Sequence, residues 1–480
     1  MSMNKRLSPT YLILAYAIGM TLVIVGCTSG SFSGKNFGKK QKLVGPKLYQ
    51  TDRVLVIAPH PDDETIAPAG LIQECLKRKI PVKVVLMNNG DGYKRCAIIN
   101  FKTLEPTIED YKRLGYIRHQ ESLNAMTSLG LSEKDVIYLS YADGSTNSLF
   151  EKNWDYSDLH KGTNGDTHAT YPFAYEPDAP YCGENVVKDL QQIFDDLKPN
   201  VVIYPDPEDD HHDHWATSAF VEYVVSKIKY DGRQYTYLVH KGFDWPFPWL
   251  YSPESTLEPP PELVGLDARW LRFKITNDEE KKKETALGMY ESQKLMAEPF
   301  LKAFVRTNEL FACYPDIVLP PVKKEPDFFK GRIMPSVAFR DPAKDALTRE
   351  LEGFGDIIEV SFAYDRKKVW MALETRRGIA PDIVYGYHVR IFKGDDIRRI
   401  DVNAKEKVAR TGKEASNSIF IDKQVPMKTM NNRMVIELPY SYFDNADVIM
   451  LNVDSFNSQD GNHRRIDRTA WRRLYLENSK

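Results

Sequence analysis

Short apolar runs alternate with longer amphipathic segments over the first half of the chain, and this alternation limits the fold more than any other feature. The apolar runs predict strands at residues 54–58, 82–87, 136–139, 201–204 and 235–239. The segments between them predict helices at residues 69–79, 116–129, 186–197 and 215–227. Strands that alternate with helices predict an α/β fold with a doubly wound, mostly parallel sheet. Functional groups in such a sheet gather in loops beyond the carboxyl ends of the strands.

The pattern changes after about residue 335, where apolar and polar residues alternate in several short segments. Short strands separated by turn residues predict a C-terminal antiparallel β-sandwich. A proline-rich stretch precedes it and is typical of a linker. We therefore predict an α/β domain at residues 49–315, a linker at 316–334 and a β-sandwich domain at 335–480. Around residues 354–356 and 385–387 the last domain weakly resembles carbohydrate-binding modules, although a purely structural role remains open.

The N-terminal residues have the pattern of an export signal. Lys5 and Arg6 precede an apolar run at residues 11–25, and Cys27 follows directly after a glycine. The end of this run resembles the lipobox of bacterial lipoproteins, which implies a signal peptide at residues 1–27, a lipid on Cys27 and a tether at 28–48. The protein would then lie outside the cytoplasm, anchored to a bacterial membrane. A transmembrane anchor or an uncleaved signal is the alternative.

Charge and cysteine content exclude several classes. The 480 residues include 65 Lys and Arg and 67 Asp and Glu, which give a net charge of -2. A nucleic-acid partner is therefore not expected, since such proteins usually carry a basic excess. The remaining cysteines are too widely spaced for a disulfide scaffold or a CxxC zinc site, so they are interpreted as structural or free thiols. They are Cys75, Cys96, Cys182 and Cys313.

The first chemical motif, His60-Pro61-Asp62-Asp63-Glu64, comes directly after the first predicted strand. Three carboxylates and an imidazole lie within five positions, and a divalent cation would relieve the repulsion between the carboxylates. His60 and Asp63 can both point into one site, with Asp62 beside the metal. Taken alone, the motif is equally typical of an acidic turn that caps the next helix.

The second motif, His211-His212-Asp213-His214, follows the fourth predicted strand and precedes a helix. It offers a further imidazole to a site at the same edge of the sheet. Two histidines and one carboxylate, with a fourth position left for water, form a known catalytic zinc arrangement, although other divalent metals accept the same ligands. A surface patch or a metal-scavenging tract is the alternative for this motif alone.

Together the two motifs resemble the paired signatures of the PIG-L (LmbE-like) de-N-acetylases, over roughly residues 50–315. Members of that family remove acyl groups from N-acylated amino sugars, and the resemblance implies a Rossmann-like deacetylase domain. Further matches to the family are Asn89-Gly90-Asp91, Arg118-His119-Gln120-Glu121, Tyr141-Ala142-Asp143 and Tyr290-Glu291-Ser292-Gln293.

The resemblance implies a role for each motif residue. His60, Asp63 and His214 would hold one metal ion per chain, zinc being favoured. Asp62 would be the general base, which takes a proton from the attacking water and delivers it to the departing amine.

Four other residues receive roles from the same resemblance. His211, protonated, would stabilise the tetrahedral intermediate, and Asp213 would support catalysis by fixing an imidazole. Arg118 and Asp143 match positions that contact the sugar. Without the resemblance, a surface ion pair for Arg118 and a turn role for Asp143 are equally reasonable.

Two positions depart from the family pattern. His212 stands where the family commonly has a proline, and Asp209 replaces a tyrosine found in some members just before the second motif. The second change leaves the polarity around the oxyanion open.

The sequence thus predicts a zinc-dependent N-deacetylase that acts on an N-acetylglucosamine-type sugar or glycoconjugate. One alternative is an amidase of the same family that acts on a thiol conjugate or an acyl glycopeptide. Another is a glycan-binding surface lipoprotein without catalytic activity.

Overall fold

The computed structural model describes residues 45–242, 245–330, 336–345, 353–413, 420–457 and 464–477. The predicted signal peptide, the lipid site at Cys27 and most of the predicted tether lie outside these residues. Across the described ranges, no helix has the length and apolar character that crossing a membrane requires.

A seven-stranded mixed sheet forms the centre of the N-terminal half. Its strands are β1 Val54–Ala58, β2 Val82–Asn88, β3 Val136–Tyr141, β4 Val201–Pro205, β5 Arg233–Tyr237, β6 Arg269–Lys274 and β7 Asn308–Cys313. They lie in the order β3-β2-β1-β4-β5-β7-β6. The first five are parallel, whereas β7 runs antiparallel to both β5 and β6. The prediction of an α/β fold with a mostly parallel sheet is confirmed.

Helices connect these strands. They are α1 Asp63–Ile66, α2 Ala69–Lys77, α3 Lys94–Phe101, α4 Ile108–Leu129, α5 Thr146–Glu151, α6 Gly183–Leu197, α7 His212–Lys227, α8 Asn277–Leu287 and α9 Lys294–Lys302. The local sequence sets the bounds of α4, for example. Thr107 and Asp110 form a capping box at its start, and Gly130 ends it with a φ of 111°.

The strand order reverses between β1 and β4. The chain leaves β1 toward β2 on one side, yet β4 pairs with β1 on the other side. The carboxyl ends of these two strands therefore open into one crevice, which is where ligands bind in sheets of this kind. The first motif follows β1 and the second follows β4, so the topology brings both to the same place.

The C-terminal half is built from short strands in two further sheets. The strands are β8 Ile317–Leu319, β9 Val337–Arg340, β10 Ile357–Tyr364, β11 Lys368–Thr375, β12 Ile383–Lys393, β13 Asp396–Asn403, β14 Val408–Lys413, β15 Phe420–Lys423, β16 Met427–Met430, β17 Arg433–Pro439, β18 Val448–Asn457, β19 Arg465–Arg468 and β20 Arg472–Leu476. One sheet has the order β16-β17-β11-β10-β9 and the other β15-β14-β13-β12-β18-β20-β8, with β19 paired to β18. All pairs are antiparallel except β20 with β8. Antiparallel sheets are thus confirmed here, and apolar side chains of both sheets share one core.

The two halves also share a core. Buried Trp471, Phe392 and Met450 of the C-terminal half belong to the same apolar cluster as Phe150 and Phe220 of the α/β half. The Trp471 ring lies 5.6 Å from the Phe150 ring. Residues 44–480 accordingly form one compact unit. The predicted linker contains β8, which pairs with β20, while the domain boundaries themselves remain a prediction.

We expect Trp471→Ala to destabilise both halves together, because it opens a cavity in the core that they share. Loss of a buried Trp costs about 3 to 5 kcal/mol. Scanning calorimetry should show one transition at a lower temperature, while Leu104→Ala, at an exposed position, should leave it unchanged. Melting of the C-terminal half alone, with the α/β half unaffected, would contradict a shared core.

Candidate active site

The turn after β1 carries the first motif and is held by hydrogen bonds from distant segments. The Arg118 guanidinium donates to the carbonyl of Gly90 at 2.9 Å and to that of Pro61 at 2.8 Å. The Gln293 amide also donates to the Pro61 carbonyl, at 3.2 Å. These bonds come from α4 and from the turn before α9, so the position of the motif is fixed from outside the crevice.

Glu64 holds the same turn in place through its buried carboxylate. Its buried carboxylate accepts hydrogen bonds from the Ser122 hydroxyl at 2.6 Å, the Tyr290 hydroxyl at 2.7 Å and the backbone N–H of Asp62 at 2.8 Å. Burial raises the pKa of Glu64, and these hydrogen bonds oppose the rise. Glu64 therefore has a structural role, and Tyr290, one of the family-like residues, is part of its support.

Asp63 joins the two motifs. Its Oδ2 lies 3.1 Å from Nδ1 of His60 and 3.1 Å from Nε2 of His214. The two imidazole centroids are 5.2 Å apart. The three predicted metal ligands, which come from the ends of β1 and β4, thus meet in one buried cluster.

The donor atoms fit a divalent metal. Tetrahedral zinc with N and O ligands at about 2.0 to 2.1 Å places neighbouring ligand atoms about 3.3 Å apart, close to the distances around Asp63 Oδ2. His214 is fully buried, and its Nε2 faces Asp63 Oδ2 at 3.1 Å. Both atoms have lost their water there, and a bound cation would interact favourably with each of them. His60, His211 and His214 also offer nitrogens within 4.8 Å of one another.

Charges within the cluster stabilise one another. Burial alone would raise the pKa of Asp63, but His214 and His60 hold it well below its usual range. Burial would lower the pKa of His214, whereas the carboxylates of Asp209 and Asp63 raise it to about 9. The cluster therefore keeps Asp63 ionised, which is the form that binds a cation.

Asp213, for which the sequence predicts a supporting role, lies in contact with the imidazole of His60. Its Oδ2 lies 3.2 Å from Nε2 of His60, and its two oxygens accept backbone N–H groups of Gly144 and Thr146 at 2.8 and 2.9 Å. His60 Nδ1 is therefore the nitrogen that faces Asp63. Asp143 lies beside this pair, with its Oδ1 3.4 Å from His60 Nε2.

Asp62 is close to the cluster in a strained backbone conformation. Its φ is 141°, which is unusual for a residue with a side chain and costs about 1 to 3 kcal/mol. Burial, followed by the Asp63 carboxylate, raises the pKa of Asp62 to about 7, and Arg118 opposes the rise from 3.4 Å. A carboxyl group that titrates near neutral pH can both accept and donate a proton.

His211 is the N-cap residue of α7, and its ring lies 4.8 Å from that of His60. Burial and then the positive charges of His60 and His214 hold the pKa of His211 well below its usual range. Its Nδ1 accepts the backbone N–H of Asp213 at 3.3 Å, which leaves the ring proton on Nε2. The structure thus favours a neutral imidazole with one N–H to donate, where the sequence analysis expects a protonated one.

The two predicted sugar contacts lie at the cluster but are already engaged. Arg118 is buried and donates to the backbone carbonyl of Pro61 in the first motif and to that of Gly90 after β2. Asp143 accepts the backbone N–H of Gly92 at 2.7 Å. Their contact with a substrate remains a prediction, and their observed contacts are those of positioning residues.

Two further residues belong to the cluster although the sequence does not predict them as ligands or partners. Asp209 Oδ2 lies 3.1 Å from His214 Nδ1 and accepts the N–H groups of Val239 and His240. The His240 ring lies 4.8 Å from that of His214, and His240, Asp63 and His214 offer donor atoms within 4.8 Å. The sequence feature that could have indicated His240 is its position just beyond the end of β5, a strand that lies next to β4 in the sheet.

His212, the other departure from the family pattern besides Asp209, also has a partner. His212, in place of a proline, lies at the start of α7, and its Nδ1 is 2.9 Å from a guanidinium nitrogen of Arg468 in β19. The second motif is therefore in direct contact with the C-terminal half.

Asp91 organises the long segment between α5 and α6. It accepts hydrogen bonds from Asn164 at 2.8 Å and from the Tyr171 hydroxyl at 2.7 Å. Burial and then the Asp143 carboxylate raise its pKa to about 7. The family-like Asn89-Gly90-Asp91 segment thus ties this loop to the edge of the crevice. The four cysteines outside the signal are free thiols, as predicted.

Part of the chain is similar to known proteins. Residues 55–225 match the family model described as "PIG-L: GlcNAc-PI de-N-acetylase". The "Probable N-acetyl-alpha-D-glucosaminyl L-malate deacetylase 2" of Bacillus subtilis is 27% identical over 157 residues, which are 32% of this chain and 66% of that protein. The "1D-myo-inositol 2-acetamido-2-deoxy-alpha-D-glucopyranoside deacetylase" of Mycobacterium leprae is 29% identical over 212 residues, 42% of this chain and 60% of that protein.

Solved structures that match part of the chain include an "N,N'-diacetylchitobiose deacetylase" from Pyrococcus horikoshii. It shows 20% identity and a TM-score of 0.34, with 55% of this chain and 84% of that chain covered. The "A40926 pseudoaglycone deacetylase Dbv21" shows 16% identity and a TM-score of 0.35, with 54% and 96% covered. At the sequence level, residues 55–225 are similar to PIG-L domains, and the curated relatives are named as deacetylases. The match spans two thirds or less of the length of those relatives.

We expect Asp209→Asn to weaken metal binding without unfolding the protein, because a neutral amide orients and polarises His214 less well. Loss of such an outer partner typically costs about 10- to 100-fold in metal affinity. Competition with a chromophoric chelator would measure the change. Asp210→Asn is the matched control, since Asp210 binds Lys241 and the Gly242 N–H and no imidazole. Equal affinity in both variants would contradict the role of Asp209.

Proposed function

We propose that this protein is a metal-dependent hydrolase, with zinc favoured, that removes the N-acetyl group from an N-acetylglucosamine-type sugar or glycoconjugate. The observation that carries the proposal is the meeting of His60, Asp63 and His214 from two strand ends, with the Asp62 carboxylate directly beside them. The names of the relatives support the sugar class.

His60, Asp63 and His214 would hold the metal. When bound, a divalent metal lowers the pKa of water and polarises an amide carbonyl, which is the chemistry that amide hydrolysis needs. Asp213 supports this set by orienting His60, and Asp209 does so by orienting His214. Nitrogen and carboxylate donors favour zinc, although other divalent metals accept them.

Asp62 would move the proton. It accepts a proton from the attacking water and then donates it to the departing amine. The Arg118 guanidinium, 3.4 Å from Asp62 Oδ2, holds that carboxylate in place. The strained backbone of Asp62 is consistent with such a role, since strain of this kind concentrates at functional sites.

His211 would stabilise the negative charge that develops on the carbonyl oxygen. Its Nε2 carries the proton and is free to donate, because Nδ1 is occupied by the Asp213 N–H. A neutral donor that is fixed in advance is effective in a site shielded from water.

An aromatic wall beside the cluster would suit a sugar ring. Phe300 stacks on His240 with ring centroids 5.4 Å apart, and Trp249 lies 5.5 Å from Phe300. Trp249 and Phe247 are exposed. Apolar and aromatic surfaces with a few directed polar groups are typical of small-molecule sites.

Three finer features predicted from the sequence also belong to the proposal. They are a lipid anchor on Cys27 with an extracytoplasmic location, a sandwich arrangement of the two C-terminal sheets, and a carbohydrate-binding role for that half. The single core shared by both sheets supports the second feature.

Asp62→Asn should retain the metal and lose turnover by about 10²- to 10⁴-fold, because general acid–base catalysis contributes on that order. Released amine from N-acetylglucosamine conjugates and metal content would be measured on the same samples. His214→Ala should instead lose the metal as well. Turnover of Asp62→Asn at the rate of the parent protein would disprove its assignment as the base.

Removal of the metal with a chelator distinguishes a hydrolase from a protein that only binds glycans. The parent protein, screened against N-acetylated glycans, should release free amine, lose this activity in chelator and regain it on addition of zinc. An amidase with a different substrate would release amine from thiol conjugates or acyl glycopeptides instead. Glycan binding without any release, with metal present, would support the capture alternative and contradict the proposal.

A further inference from the structure

A second group of carboxylates lies between the two halves, apart from the nitrogen-rich cluster. Asp341 follows β9, Asp345 lies four residues further on, and Asp467 belongs to β19. One oxygen from each can be chosen so that all three lie within 4.8 Å of one another. Asp341 is only 3% exposed and Asp467 only 2%. Two of the three carboxylates are therefore buried, and the Asp345 side chain beside them is 17% exposed.

Two oxygens of this group have no hydrogen-bond partner. Oδ2 of Asp341 and Oδ1 of Asp345 are buried and unpaired within the described ranges of the chain. Asp467 accepts the backbone N–H groups of Ile357 and Arg468, and each of its oxygens keeps a free lone pair. Buried, unpaired carboxylate oxygens are rare, because their desolvation is not compensated.

The nearby cations do not neutralise the group. Lys241 Nζ lies 3.6 Å from Asp345 Oδ2 but is closer to Asp210, at 2.9 Å. Arg472 lies beside Asp267, at 4.0 Å. The three aspartates therefore share the Lys241 ammonium group with a fourth carboxylate, that of Asp210.

Other charged groups around the trio do not change this balance. Asp356 has its own partner in Arg376 and accepts the N–H of Lys344. Arg468 faces Glu151 from 3.8 Å. Glu208 is a further carboxyl group near Asp341, and burial raises its pKa to about 8.

The electrostatic effect of this crowding is strong. Burial and then the neighbouring carboxylates raise the pKa of Asp341 and of Asp467 well above the usual range. Burial also raises the pKa of Asp345 to about 7, although Lys241 opposes the rise. A bound cation would remove the repulsion that causes these shifts.

A small cavity adjoins the group. Its volume is about 30 Å³, and Asp345, Asp467, Glu208 and Lys241 are among its lining residues. This is about the volume of one water molecule in the liquid. It offers room for an ion or its water ligand, and not for an organic molecule.

We propose that Asp341, Asp345 and Asp467 form a second metal site that binds a hard divalent cation, Ca²⁺ by preference. All its donors are oxygens, the type that Ca²⁺ and Mg²⁺ select, whereas zinc prefers sites with nitrogen or sulfur. Calcium binds oxygens at about 2.4 Å, so ligands on opposite sides of the ion lie about 4.8 Å apart. Calcium also tolerates irregular coordination better than magnesium does.

The site would connect the two halves of the molecule. Asp341 and Asp467 belong to the C-terminal sheets, while Lys241 and Asp210 lie next to His240 and the second motif. If Asp345 binds an ion, Lys241 pairs with Asp210 alone. This ion pair then fixes the segment that follows β5. The role is structural and does not depend on the proposed deacetylase activity.

Terbium luminescence and thermal unfolding of the full chain test this site. Tb³⁺, a luminescent substitute for Ca²⁺, should be excited through Trp215, which lines the same cavity. The protein is first loaded with zinc, so that the nitrogen-rich cluster is filled. Ca²⁺ should then displace Tb³⁺ and raise the melting temperature of the parent protein by several degrees.

Asp341→Asn and Asp345→Asn should each lose the luminescence and the Ca²⁺-dependent rise. In chelator both variants should melt at or above the parent temperature, because each substitution removes a buried like charge. Asp395→Asn, at an exposed aspartate of the same half, is the matched control and should behave like the parent.

Two results would overturn the proposal. One is the absence of Tb³⁺ luminescence and of Ca²⁺ stabilisation in the parent protein. The other is an equal response in the parent and in both substituted proteins, which would place the ion elsewhere. Since the measurements do not use turnover, failure of the calcium site leaves the deacetylase proposal untouched, and the reverse also holds.

Discussion

The contact of one carboxylate with two imidazoles holds the centre of this molecule together. Asp63 lies 3.1 Å from both His60 and His214, and these residues come from neighbouring strands that are far apart in the sequence. The supporting contacts are made to His60, to His214 or to the turn that carries the first motif. Asp213 orients His60, Asp209 orients His214, and Glu64 with its three donors fixes the turn.

The sheet topology allows the fold to stabilise this concentration of charged side chains. The strand order reverses between β1 and β4, so the segments that follow these strands meet in one crevice. Backbone N–H groups of these and nearby segments donate to the carboxylates there. Asp213, for example, accepts two of them, from Gly144 and Thr146. Backbone donors stabilise ionised carboxylates without adding mobile side chains. Charge that would destabilise an apolar core is thereby held in a fixed arrangement that suits catalysis.

Much of this arrangement could be predicted from the sequence, because it follows from local patterns and from one topological rule. Apolar runs fix β1 and β4, and motifs at the ends of parallel strands meet. Asp209 and His240 could not be predicted in the same way, since their roles depend on how β5 lies beside β4. The lowered pKa of His211 depends on burial beside His60 and His214, and its tautomer depends on the backbone N–H of Asp213, so neither can be seen in the sequence pattern.

The relation of the two halves was equally inaccessible to pattern analysis. Proline-rich composition indicates a linker, yet β8 within it pairs with β20, and Trp471 packs on Phe150. Long-range pairing of this kind leaves no periodic signal, because both partners look like ordinary apolar residues. The acidic trio near β9 and β19 is hidden for the same reason, since its members are far apart along the chain.

The contact between His212 and Arg468 joins the second motif to the C-terminal half. Proline is well suited to the first turn of a helix, but it has no ring nitrogen to offer a guanidinium. The histidine found here places a ring nitrogen 2.9 Å from the guanidinium of Arg468 in the C-terminal sheets. One residue of the second motif is therefore also part of the contact between the two halves. A change at position 212 would act on that contact as well as on the start of α7.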